Sequence, residues 1–269
     1  MKKTTMVCAL ALAAAASLAG PVGAQQNPLA RQQPQGLGVS PVFEGWYQNP
    51  DGTYTLSFGF QNRNTEQVLS IPVGPSNKVE PGSIDQGQPT YFEPRRSYGV
   101  FAVTVPADFS PDARVTWTLE ANGERYSIPG GLLAAYETDN LHARGTDRYP
   151  PVVVVADCVE SRGPNGARVG PVSATLGQPL ALEASAWDQQ ARPVTLRWYK
   201  YRGPGEVTFE KEELPIGEGA TEAATTATFS APGDYVLYVR ANHSDAGVAA
   251  SGLEQCCWTN AYLRVTVAR

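Results

Sequence analysis

Along residues 53–60 (TYTLSFGF), Tyr54, Leu56, Phe58 and Phe60 alternate with small or polar residues, which puts four large apolar groups on one face of an extended strand. The turn sequence Asn49-Pro50-Asp51-Gly52 precedes it and makes residues 44–48 the other arm of a hairpin. Further strands are predicted over residues 68–73, 100–105 and 115–119, the last returning through Asn122-Gly123 into residues 125–128. One helical turn is expected near residues 132–136, after which the chain turns polar as far as Pro150-Pro151, a stiff joint. Apolar alternation then resumes at residues 152–155, 175–188, 196–198 and 227–239. Short strands punctuated this often, with no helical run of useful length, predict sheet packed on sheet.

The N-terminus follows another pattern. Lys2 and Lys3 precede an apolar run from Met6 to Ala19 and a small-residue site at Val22-Gly23-Ala24, the order of a cleavable signal peptide. Cleavage is expected after Ala24. The apolar run is too short for the roughly 20 residues of a membrane-crossing helix, and no later stretch approaches that length, so no transmembrane segment is expected. Residues 25–40 (QQNPLARQQPQGLGVS) lack periodicity and read as a disordered leader. The division is therefore 1–24 signal peptide, 25–40 leader, 41–148 first β-sandwich and 149–269 second. Losing Lys2 and Lys3 leaves 19 basic against 26 acidic residues, moving the net charge from −5 to −7, an acidic balance that argues against a nucleic-acid partner. Pro and Gly, 22 and 26 in number, fall between the alternating runs and so mark turns rather than disorder.

From Pro151 onward, the runs VVVV (152–155), TLGQPLALEASAWD (175–188), LRW (196–198) and above all SAPGDYVL (230–237) resemble the strand succession of polycystic-kidney-disease-type and related immunoglobulin-like domains. The resemblance departs where a Trp-Asp-Phe-Gly-Asp-Gly string belongs, since residues 198–205 read WYKYRGPG. It implies an immunoglobulin-like sandwich serving as a spacer, adhesion or ligand-binding unit. Trp198 is placed as the buried aromatic of a central strand, and Tyr235, after Pro232-Gly233-Asp234, as a tyrosine-corner residue. The fold class expected is all-β, two immunoglobulin-like sandwiches in tandem behind the signal peptide and leader.

Three cysteines remain after cleavage, Cys158, Cys256 and Cys257, and an odd number in an oxidising compartment leaves one over. A bridge between the neighbours Cys256 and Cys257 would be strained, because adjacent Cα atoms lie about 3.8 Å apart. A bridge from Cys158 to one of the pair closes a loop of about 100 residues, worth roughly 4.7 kcal/mol in the chain-entropy model. If the final strand runs back unbroken, Cys257 shares a face with Leu263, Val265 and Val267. The leftover thiol is read as buried and inert, with a covalent dimer or a soft-metal site with His243 as the sharper alternatives.

His142 and His243 are the only histidines, each in a polar segment read as an exposed loop, and no His-Glu-x-x-His, Gly-x-Ser-x-Gly or phosphate-binding Gly-rich loop is present. The chain thus reads as a non-enzymatic binding or structural protein of the periplasm or cell surface, with no cofactor. Asp157, Glu160, Asp188 and Asp245 could gather around Ca²⁺ at a loop pole, with solvated surface charge the simpler account. Trp46, Tyr47, Tyr91, Phe92, Trp187, Tyr199, Tyr201 and Trp258 cannot all face a core. Some are therefore expected exposed, where flat aromatics could hold a glycan or a partner protein. The turn Glu93-Pro94-Arg95-Arg96 is a further exposed contact candidate. A metal-binding or redox role for Cys256 and Cys257 is the third function class.

Overall fold

The computed structural model describes residues 33–138, 149–156, 160–216, 222–243 and 257–269. The expected signal peptide, the first half of the leader (25–32), His142, Asp157, Cys158, Asp245 and Cys256 lie outside these residues. Eight strands build the first sandwich: β1 (Val39–Gln48), β2 (Tyr54–Asn62), β3 (Leu69–Ser70), β4 (Asn77–Glu80), β5 (Tyr91–Phe92), β6 (Arg95–Val105), β7 (Val115–Ala121) and β8 (Glu124–Gly130). They pair as β1-β2-β6, β4-β7-β8 and a short β3-β5 ribbon. A 3₁₀ turn, Ala134–Tyr136, follows.

Alternation explains the core. Leu56, Phe58 and Phe60 are buried, as their spacing predicts. Phe101 stacks on Phe58 at 5.3 Å between ring centroids and meets Trp117 edge-on at 4.8 Å, the offset and T-shaped geometries that aromatic quadrupoles favour. Asn122 and Gly123, with φ of 52° and 75°, make the tight β7–β8 hairpin, since a two-residue connection matching strand twist needs two left-handed residues. Two expectations change. The strand expected over residues 68–73 shrinks to β3, because Pro72 has no N–H to continue a ladder. The leader expected over 25–40 is held in place from Gln33 onward, with Leu37 and Val39 buried and the Asn64 side chain bonded to both Leu37 backbone groups. Two apolar side chains and hydrogen bonds to the Gly36, Leu37 and Gly38 amides seat the segment.

The second sandwich contains β9 (Val152–Val155), β10 (Ala167–Thr175), β11 (Leu180–Trp187), β12 (Val194–Arg202), β13 (Val207–Phe209), β14 (Glu213–Ile216), β15 (Glu222–Phe229), β16 (Gly233–His243) and β17 (Trp258–Ala268). One sheet runs β10-β17-β16-β12-β14, with β10 parallel to β17, and the other β13-β15-β11-β9. Between them Trp198, Phe229, Leu196, Leu237 and Val239 form the core. The Tyr235 hydroxyl donates to the Ala231 carbonyl at 2.8 Å and accepts from the Gly205 N–H at 3.0 Å, the tyrosine-corner geometry expected from Pro232-Gly233-Asp234. The chain is thus an all-β pair of immunoglobulin-like sandwiches. Among the described residues no helix is long and apolar enough to cross a membrane.

The two sandwiches are fused, and this was not expected. The outer face of the β17-β16-β12 sheet packs on the first sandwich, where Tyr201, Tyr238 and Tyr262 join the cluster built on Phe58, Phe101 and Trp117. At one end Arg202 holds the Asp85 carboxylate with two bonds of 2.9 and 2.8 Å, and the Thr90 N–H donates to the Tyr201 carbonyl at 3.1 Å. At the other end the Tyr262 hydroxyl donates to the Val100 carbonyl at 2.7 Å, and Asn260 Nδ2 to that of Gly99 at 2.7 Å. Both ends are clamped by bonds to backbone carbonyls, which leaves a gap between them.

Candidate functional site

That gap is a cleft of about 520 Å³, lined from the second sandwich by β12, β16 and Glu213 of β14 and from the first by Phe60 and residues 89–100. Strand register fixes its floor. Trp198 points into its own core, so Arg197 and Tyr199 point out. Tyr199 is paired with Tyr238, which in turn pairs with Tyr262, forming one row across three strands. The rings follow suit, Tyr199 to Tyr238 at 4.9 Å and Tyr238 to Tyr262 at 5.6 Å, both stacked. The next row reads Glu213, Arg197, Arg240, Asn260, and the one beyond brings Thr195 opposite Asn242. The first sandwich supplies Tyr91, Glu93, Arg96, Ser97 and Tyr98 as the opposing wall.

The wall is anchored by a buried carboxylate. The β1–β2 register shifts between Phe43 and Gly45, making Glu44 the extra residue of a bulge, and the β2–β6 register shifts across Gly59. Glu44 crosses Gly59, where the Glu44 carboxylate and the Ser97 carbonyl fill the space a Cβ would need. It then accepts from the Arg96 guanidinium at 2.5 Å and the Gly99 N–H at 2.5 Å. Burial pushes its carboxyl above the ordinary carboxylate value, with Arg96, the Gly99 amide and Arg240 pulling the other way. Arg240 lies over the Trp258 ring at 4.4 Å, donates to the Tyr98 and Gly99 carbonyls, and bonds Asn260 Oδ1 at 3.0 Å.

The aromatic candidates divide. Tyr91, Tyr199 and Tyr201 line the cleft. Tyr47, Phe92, Tyr201 and Trp258 are buried, contrary to exposed contact roles. Phe92 points inward because its strand neighbour Tyr91 points out, and it meets Phe60 edge-on at 4.9 Å. Trp258 is covered by Arg240 and Gly99, and Tyr47 lies on the face of β1 opposite Phe43 and Trp46, where burial pushes its hydroxyl up to about 12. Trp46 is half-buried and donates to the Leu133 carbonyl at 2.8 Å, and Trp187 is half-buried on β11. Arg96, expected in an exposed turn, is instead tied to Glu44.

His243 and Asp188 meet at 2.8 Å, both side chains fully buried, so neither is a solvated loop residue. Burial would raise the Asp188 carboxyl, but the amides of Arg192 and Gln190 and the His243 ring hold it below the ordinary value. The pair closes the turn after β11. Among the described residues no group of three or more His, Cys, Asp or Glu could hold a metal ion. Cys257 is buried, and its sulfur is bonded rather than titrating.

Sequence reasoning missed Arg197, Tyr238, Arg240, Asn242 and Tyr262. The signal was present: with Trp198, Leu237 and Val239 assigned inward, alternation sends Arg197, Tyr199, Tyr238 and Arg240 outward on neighbouring strands. No known protein family matches the sequence, and no curated protein matches it. Among solved structures the chain is similar to the D00-D0 domain of intimin, at 13% identity and TM-score 0.28 over 86% of this chain and 100% of that one. It is also similar to domains 4 and 5 of the S-layer protein SbsC, at 12% identity and TM-score 0.26 over 86% and 98%. A PapD-like domain of human CEP192 is 7% identical, with TM-score 0.29 over 49% and 96%.

Proposed function

We propose that this chain is an exported, non-enzymatic binding protein that seats a glycan in the cleft between its two sandwiches. The observation that carries the reading is the cleft floor, where the Tyr199 ring, stacked on Tyr238 and with the Arg197 guanidinium 5.0 Å from its centroid, lies beside the polar side chains of Glu213, Thr195 and Asn242. A pyranose has an apolar face and a hydroxyl rim, and a flat aromatic flanked by donors and acceptors matches both at once. Its clamped ends make the cleft a preformed site, so little conformational entropy is lost on binding. Export is supported by the signal-peptide pattern of residues 1–24. The cysteines fit an oxidising destination: Cys257 precedes Thr259, whose hydroxyl donates to the Pro151 carbonyl at 2.6 Å, so it shares a strand face with a group turned toward the start of β9. That phase supports a Cys158–Cys257 bridge with Cys256 left over.

The test is a glycan array probed with the secreted protein, followed by calorimetry on the best oligosaccharide. Tyr199→Ala is expected to weaken binding roughly tenfold, equivalent to about 1.4 kcal/mol, with the circular dichroism of the β-fold retained. An array without a hit, or a hit whose affinity is indifferent to Tyr199→Ala, would overturn the reading.

A further inference from the structure

The lining of the cleft is unequal in charge, with Arg96, Arg197, Lys200 and Arg240 against Glu93 and Glu213. Arg96 is neutralised by Glu44 at 2.5 Å. Arg197 and Arg240 are direct cross-strand partners on the same face, an arrangement of like charges that costs stability in a sheet. Arg197, itself 40% exposed at the cleft mouth, has the exposed Glu212 carboxylate at 3.5 Å and feels Glu93 and Glu213 as well, while its Nε is a buried donor with no acceptor. Arg240 is 8% exposed and has no carboxylate within 4.0 Å among the described residues; its bonds go to carbonyls and to an amide. Lys200, also 8% exposed, has its ammonium 4.3 Å from the centroid of the Tyr91 ring, with neither an ion pair nor a hydrogen bond among the described residues.

Buried cations are ordinarily paired, because removing a charge from water costs several kcal/mol unless an opposite charge or a set of hydrogen bonds replaces the solvent. Here the cations face a cavity. Burial lowers the proton affinity of Lys200, and it raises that of Glu93, the nearest acid of the opposing wall, against the pull of Arg197. The Lys200 shift is that of a buried cation without a close anion, whereas the Glu93 shift reports that carboxyl's own burial. Glu213 stands on the exposed edge strand β14 directly opposite Arg197 and acts on it from the mouth of the cleft, so Arg240 and Lys200 are the cations without a close carboxylate among the described residues.

We propose that the ligand is an acidic sugar whose anionic group is taken by the Arg197–Arg240 pair, with its ring on Tyr199. This inference rests on the reading of the cleft as a glycan site and adds the charge of the ligand to it. A planar guanidinium pair suits a carboxylate, which it can meet with paired N–H donors; a sulfate offers the same charge with tetrahedral oxygens.

The experiment compares three matched oligosaccharides in calorimetry: one carrying uronic acids, its methyl ester, and a sulfated version of the neutral sugar. The uronate is expected to bind at least tenfold more tightly than its ester, and raising NaCl from 50 to 500 mM should weaken only the charged ligands. Arg197→Gln should bring uronate and ester to equal affinity, and Arg197→Lys should restore part of the difference. Preference for the sulfated ligand would keep the anion and change its group. Equal binding of uronate and ester by the wild-type protein, with no salt dependence, would overturn the anionic ligand while leaving the glycan site standing. Failure of all three to bind, on a protein with its β-fold intact, would overturn both. The salt series on the wild-type protein decides the matter even if Arg197→Gln does not fold.

Discussion

Gly99→Val is expected to destabilise the protein by about 4 kcal/mol, the sum of a left-handed conformation forced on a side-chain-bearing residue and overpacking against an aromatic ring. Gly99 has φ of +49°, and a Cβ there would fall inside the van der Waals shell of the Trp258 ring. That ring is itself pinned from above by Arg240 at 4.4 Å, so it cannot swing away without breaking the bonds from Arg240 to the Tyr98 and Gly99 carbonyls. Gly99 also donates to Glu44 and accepts from Asn260, and a shifted backbone would loosen both. Thermal unfolding followed by circular dichroism should show a midpoint lower by about 10 °C for a domain pair of this size. Gly123→Ala serves as the control. Its φ is +75° with nothing within 4 Å of the added Cβ, so it reports strain without collision and should cost about 1 kcal/mol. If Gly99→Val costs no more than that control, the close contact between Gly99 and Trp258 does not hold the sandwiches together.

The same interface shows where sequence reading stops. Strands with one wet face announce themselves by alternation, and residues 53–60, 115–128 and 230–237 were legible for that reason. Trp198 and Tyr235 were legible too, because each sits in a local pattern that specifies its role. The fusion was not legible. Arg197, Tyr199, Tyr238, Arg240 and Asn260 have the composition of a solvent face, yet Tyr238, Arg240 and Asn260 are buried. Period-2 alternation assigns a residue to a face but not the face to water or to another sheet. A row of tyrosines on three neighbouring strands hints at cover, since aromatic side chains bury well while keeping a hydroxyl for a polar neighbour. Which strands are neighbours, however, depends on topology, and β12 and β16 pair across three intervening strands, β13, β14 and β15. Glu44 was hidden for a related reason: a bulge changes the phase of alternation, and nothing in residues 41–48 (PVFEGWYQ) marks it except Gly45.

Glu44 carries the other large effect, and its two substitutions should differ. Glu44→Ala removes the acceptor of the Gly99 N–H and the counterion of Arg96, leaving a buried donor and an uncompensated charge, and is expected to cost about 3 kcal/mol. Glu44→Gln keeps an oxygen for the amide and removes only the charge, so about 1 kcal/mol is expected. The pH dependence of the second variant is the sharper measurement. Burial outweighs the attraction of Arg96, the Gly99 amide and Arg240, so the folded carboxyl titrates above its unfolded value of 4.5. A folded state that holds its proton more tightly than the unfolded state is favoured as pH falls. The contribution is fully present below pH 4.5 and is lost as pH rises through the folded value. Glu44→Gln cannot titrate there. In urea titrations from pH 4 to 8, the stability of the wild-type protein relative to Glu44→Gln should therefore be highest at the acid end and decline toward neutrality. A difference that instead grows toward neutrality would mean that Arg96 and Arg240 hold the carboxylate more strongly than burial opposes it. The wall of the cleft would then rest on a net-favourable ion pair rather than on the packing that surrounds it.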